Sequence, residues 1–80
     1  MININIKIIG SNCINGMKLK KMVERAIGEV EGDINFVELN DNNAKNKFNI
    51  SNIPALIIDN RLISQGKVLT VREIKKVLIA

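Results

Sequence analysis

The chain has no histidine, tryptophan or tyrosine, and only one cysteine and one proline among its 80 residues. Each absence excludes some chemistry. Without histidine there is no Ser-His or Cys-His catalytic arrangement. A structural zinc site takes four ligands, usually cysteine and histidine, and this sequence offers one, so no metal is expected. A lone cysteine forms no internal disulfide. The fold must therefore stand on packing, and a reducing, intracellular setting suits it. Phe36 and Phe48 are the whole aromatic content, which leaves no stacking platform for single-stranded nucleic acid. Twelve basic residues exceed eight acidic ones, for a net charge of +4. They are interleaved along the chain rather than gathered, so nucleic acid is not the expected partner. No run approaches the roughly 18 apolar residues of a membrane span. The opening Met1-Ile2-Asn3-Ile4-Asn5-Ile6-Lys7 has no basic leader, and Asn interrupts its apolar positions, which is unlike a signal peptide. The expectation is one cytoplasmic domain over residues 1–80, monomeric, with no membrane partner and no cofactor.

What is present is periodic. Ile2, Ile4, Ile6 and Ile8 alternate with Asn3, Asn5 and Lys7, the period of a strand with one face buried. Gly10-Ser11-Asn12 breaks the alternation. From Cys13 the period changes: Leu19, Met22, Val23, Ala26, Ile27 and Val30 form one apolar stripe of a helix of about four turns. Gly28 interrupts it at a cost of up to about 1 kcal/mol relative to alanine, and Gly32 is the expected stop. Lys20 with Glu24 and Arg25 with Glu29 are spaced to pair, and Lys18, Lys20 and Lys21 read as a solvated face. Met17 and Met22 read as core fillers. A second strand follows over 34–39, then turn or cap material at Asn40 to Asn43 and a short helix from Ala44 to Phe48, which Asn49 can end. Ala55-Leu56-Ile57-Ile58 reads as a strand buried on both faces. Asp59-Asn60 is a hairpin signal before a returning strand, Arg61 to Gln65. Thr70 and Glu73 match a capping box at the start of a last amphipathic helix carrying Val71, Ile74, Val77 and Leu78. The order β-α-β-α-β-β-α implies an α/β fold. Its opening pair is parallel with a right-handed crossover, its last pair is antiparallel, and a mixed four-stranded sheet is flanked by helices.

Two residues carry chemistry. Cys13 stands where the first strand hands over to the first helix. Unpaired amides and the helix dipole there stabilise a thiolate. A cysteine used as buried filler is the bland reading. However, Cys13 lies outside the apolar stripe, at the carboxyl edge of the sheet where open α/β folds place ligands. Pro54 directly precedes the buried third strand. On base rates its bond is trans.

Three segments together resemble a known family: Ile6-Lys7-Ile8-Ile9-Gly10-Ser11-Asn12-Cys13 leading into the helix, Phe48-Asn49-Ile50-Ser51-Asn52-Ile53-Pro54-Ala55-Leu56-Ile57-Ile58-Asp59, and Gly66-Lys67-Val68 before the last helix. Over essentially the whole chain they resemble the small redox-active disulfide proteins, a thioredoxin-like and glutaredoxin-like family. The resemblance implies a thioredoxin-like fold and a cis Ile53–Pro54 bond beside Cys13. It also implies thiol-disulfide exchange with protein or low-molecular-weight thiols and disulfides. Ser11, Asn12, Ile53 and Pro54 then hold the partner beside the sulfur. The family motif is Cys-x-x-Cys, whereas this chain reads Cys13-Ile14-Asn15-Gly16, with Gly16 at the resolving position. The dithiol cycle needs a second thiolate to attack the mixed disulfide, and here none follows. A cysteine introduced at position 16 is expected to reach Cys13 and close a disulfide. Three functions fit: a monothiol redox protein, a binding module that takes extended peptide near Cys13 and Pro54, and a dimeric iron–sulfur binder. The third is disfavoured because Cys13-Ile14-Asn15-Gly16 differs from the Cys-Gly-Phe-Ser pattern of monothiol glutaredoxins.

Overall fold

The structure is a computed structural model that describes residues 3–39 and 42–79, without the side chains of Asn42 and Ala44. Ile2 of the opening alternation and the expected turn or cap at Asn40 and Asp41 lie outside the described residues. The elements are β1 (Asn3–Ile9), α1 (Ile14–Gly28), β2 (Asp33–Leu39), α2 (Asn42–Lys47), β3 (Ala55–Ile58), β4 (Arg61–Gln65) and α3 (Val71–Ile79). They build one mixed sheet in the order β2-β1-β3-β4. β1 runs parallel to β2 and antiparallel to β3, and β3 and β4 form an antiparallel hairpin.

The alternation in β1 becomes two faces. Ile4, Ile6 and Ile8 are buried with Leu19, Val23 and Ala26 of α1, Leu56 and Ile58 of β3, and Ile74 and Leu78 of α3. This is the main core. Ile9, Ala55 and Ile57 point the other way and gather Leu39, Phe48 and Ile50 into a smaller core. Four consecutive buried residues in β3 are thus divided between two cores, which is why that strand has no polar face.

The turns follow their residues. Asp59 and Asn60 both have positive φ, 49° and 66°, as a two-residue type I′ hairpin requires. The Asp59 carboxylate also accepts from the Asn5 N–H, and the Asp59 N–H donates to the Asn5 carbonyl. Asn49 takes φ 55° and closes α2, while the Ile50 N–H reaches back to the Lys45 carbonyl at 2.9 Å, the αL helix ending that asparagine tolerates. At α3 the Thr70 hydroxyl accepts from the Glu73 N–H and the Glu73 carboxylate accepts from the Thr70 N–H, a complete capping box.

Three expectations need correction. α1 ends at Gly28, with Glu29 as its C-cap, so Gly32 does not stop the helix and Val30 packs on the core from beyond its end. Of the charges expected to pair along α1, Lys20 and Glu29 pair across the fold instead. Lys20 meets Glu38 of β2 at 3.1 Å, and Glu29 meets Lys75 of α3 at 3.1 Å. Lys20 is therefore only partly a solvated residue. Met22 does pack against the main core, but Met17 is 51% exposed and fills nothing.

Candidate functional site: the carboxyl edge of β1

Four strand ends meet beyond Ile9. The parallel register sets Ile9 beside Leu39, so β2 ends at the same level. The antiparallel register sets Ile9 opposite Ala55, so the chain entering β3 through Ile53 and Pro54 arrives where β1 leaves. Ala55 in turn faces Gln65, which brings in the end of β4. The Ile53–Pro54 peptide is cis.

Gly10 is the hub of this edge. It has φ +85°, a conformation open to glycine and strained for other residues. A Cβ at Gly10 would come within 2.7 Å of the Ile53 Cβ, so the turn after β1 lies directly against Ile53. The Gly10 carbonyl accepts from the Cys13 N–H at 3.4 Å and from the Cys13 thiol at 3.0 Å.

Cys13 is the N-cap of α1. Its backbone is extended, its carbonyl receives the first helical bond from Met17, and its sulfur accepts from the Gly16 N–H at 3.2 Å. Sulfur here occupies the place that a serine or aspartate oxygen usually takes at a helix start. The residue is half-buried. Exposed apolar groups stand on the neighbouring residues: Ile14 at 71%, Met17 at 51% and Ile53 at 38%.

The other residues named from the sequence divide into two kinds. Asn12 is exposed and Pro54 is buried. Ser11 is buried, and its hydroxyl donates to the Glu38 carboxylate at 2.7 Å, so its side chain is committed inward. The Ser11 hydroxyl, and then Lys20, hold the Glu38 carboxyl below the usual carboxylate range. Gly16 is buried. A Cβ there would collide with the Gly10 oxygen, so the present backbone leaves no room for the cysteine at 16 expected to reach Cys13.

Sequence reasoning missed two supports. Glu38 ties the Cys13 turn to β2. Gln65 ties down the loop before Pro54, its side-chain oxygen accepting from the Ser51 and Asn52 N–H groups at 3.0 and 3.2 Å. Gly66 completes that clamp by donating its N–H to the Pro54 carbonyl at 2.9 Å. Only the position of Gln65 just before a glycine hinted at this, and it did not say what the amide would hold.

A mixed sheet with a cysteine capping the helix after its central strand, set beside a cis-proline turn, defines a small thiol domain of thioredoxin type. The chain belongs to the thioredoxin-domain family, whose model matches residues 4–79. It is also 30% identical over 73 residues to a thioredoxin of Methanothermobacter thermautotrophicus strain Delta H, covering 91% of this chain and 95% of that protein. A general thiol redox role follows from this membership. Among the described residues no helix is long and apolar enough to cross a membrane.

Proposed function

We propose that the chain exchanges thiols and disulfides through Cys13 as its single nucleophile. The observation that carries this reading is the cap geometry: a half-buried sulfur accepting the Gly16 N–H at 3.2 Å at the start of α1. That amide donates to the sulfur from the helix side, and the thiolate is the form that attacks. The Cys13 thiolate attacks one sulfur of a partner disulfide. A new S–S bond joins Cys13 to that half, and the other half leaves as a thiolate that takes up a proton. A second thiolate, from outside the chain, then attacks the partner sulfur and returns Cys13. Electrons balance as one disulfide is exchanged for another. The partner is a protein or a low-molecular-weight thiol. Asn12, Ile53, Pro54 and the backbone of Ser11 hold it beside the sulfur, and no cofactor or metal enters.

Intact-mass analysis after mixing the reduced protein with glutathione disulfide tests this. The expected result is one reducible adduct on Cys13, absent in Cys13→Ser. No adduct on Cys13, with the fold intact, overturns the reading.

A second reading is a binding module in which the thiol does not turn over. The exposed Ile14, Met17 and Ile53 around the sulfur favour it. They form an apolar rim able to hold a peptide without covalent chemistry. Under this reading Cys13→Ser keeps its partner. If that substitution alone loses the partner, covalent capture is the function.

A further inference from the structure

The second motif position is not merely empty. An ideal Cβ at Gly16 collides with the Gly10 oxygen and falls 2.7 Å from both the Gly10 carbonyl carbon and the Ser11 Cα. All three are backbone atoms, so no flexible side chain can swing aside. Gly10 itself lies close to Ile53, whose Cβ, Cδ1 and Cγ2 are 2.7, 3.1 and 3.2 Å from where a Gly10 Cβ would be. Ser11 is anchored to Glu38 at 2.7 Å, and Glu38 to Lys20 at 3.1 Å. Gly28 shows that this is no general property of glycine in α1, because a Cβ there would meet nothing within 4 Å.

The same closeness holds the sulfur. With no side chain at 16, the Gly10 carbonyl comes down onto the first turn of α1, where it accepts the Cys13 thiol at 3.0 Å. The Gly16 N–H meets the sulfur from the helix side at 3.2 Å. The two glycines thus form one seat, with the thiol proton on one side and an amide proton on the other.

We propose that Gly16 is a positioning residue: its missing side chain lets the Gly10 carbonyl and the Gly16 N–H seat Cys13, and the same closeness leaves no room for a side chain at the second motif position. This rests on the reading of Cys13 as the nucleophile. It also makes a single substitution unable to restore a dithiol motif.

The test compares wild type, Gly16→Cys, Gly16→Ala and Gly28→Ala. With excess glutathione disulfide, an internal disulfide would pass two electrons and two protons to the reagent, giving two glutathione molecules and a protein two hydrogens lighter. The expected result is that folded Gly16→Cys carries glutathione adducts and shows no such mass loss. Gly16→Ala is expected to have a lower thermal midpoint than wild type and a displaced pH profile of alkylation, whereas Gly28→Ala keeps the wild-type profile and does not melt earlier. A merely structural role would lower the midpoint of Gly16→Ala without moving its profile. Folded Gly16→Cys that closes a reducible disulfide between Cys13 and the introduced thiol overturns the proposal, as does Gly16→Ala with the wild-type profile. If Gly16→Cys does not fold, Gly16→Ala decides by the same two readouts. If wild type gives no adduct, the nucleophile reading fails on its own. The seat then stands or falls on whether Gly16→Ala displaces the pH profile of alkylation that Gly28→Ala keeps.

Discussion

Ser64 carries a hydroxyl with no receiver. It lies on β4 across from Leu56, 6% exposed, and its oxygen has no hydrogen-bond partner. A buried polar group left unpaired costs about 1–3 kcal/mol, so removing it is favourable where the remaining shape still packs. Ser64→Ala is therefore expected to raise the stability by roughly 1 kcal/mol, read as a higher urea midpoint at unchanged slope. An unchanged or lower midpoint would mean that the hydroxyl is satisfied in solution. Ser11 is the contrasting buried hydroxyl. It finds a carboxylate at 2.7 Å and ties the cysteine turn to the sheet, so Ser11→Ala should loosen the site where Ser64→Ala tightens the core.

At the scale of elements, α3 depends on its cap. Thr70 covers the Glu73 N–H, and the Glu73 carboxylate covers the Thr70 N–H, so Thr70→Ala is expected to cost about 1 kcal/mol, read from the same urea titration. The capping amide and the Thr70 hydroxyl hold the Glu73 carboxyl below its ordinary value of 4.5. Ser11 and Lys20 do the same for Glu38. A carboxyl lowered by folding stabilises the fold above its unfolded value and loses that contribution as pH falls through the folded one. The thermal midpoint should therefore hold above about pH 4.5 and drop below it, less steeply in Glu73→Gln, which keeps an acceptor but does not titrate. An identical slope in Glu73→Gln would remove Glu73 from the account. The cap was legible in the sequence because Thr70 and Glu73 are three residues apart. The β1 alternation, the α1 stripe and the Asp59-Asn60 turn were legible for the same reason, since local spacing decides them. The partners of Lys20 and Glu29 were not. Their partners stand 18 and 46 positions away along the chain, and the positions four residues distant were the wrong guess. Gly16 was legible as a missing cysteine but not as a close contact, because the atom that fills its space belongs to Gly10.

For the whole molecule, two sets of isoleucines do different jobs. Ile8 lies in the central strand, fully buried, beside Glu38 on one side and Leu56 on the other. Removing a buried side chain of that size costs about 2–5 kcal/mol, and a domain of this length holds on the order of 4–12 kcal/mol in total. With a single cysteine and so no internal disulfide to supplement the core, Ile8→Ala should lose on the order of a third of the stability. Ile14 directly follows Cys13 and is 71% exposed, so Ile14→Ala should change stability by no more than about 0.5 kcal/mol. Function is expected to sort the other way. Below its melting range Ile8→Ala should form the glutathione adduct at the wild-type rate, because the turn from Gly10 to Gly16 has its own contacts to Ile53 and Glu38. Ile14→Ala should instead slow exchange with a peptide disulfide, which must lie across the apolar rim, and leave exchange with glutathione disulfide unchanged. Urea midpoints and two exchange rates on the two variants check this. If Ile14→Ala proved as destabilising as Ile8→Ala, the exposed rim would be part of the core, and neither the rim nor the single-thiol reading could keep its present form.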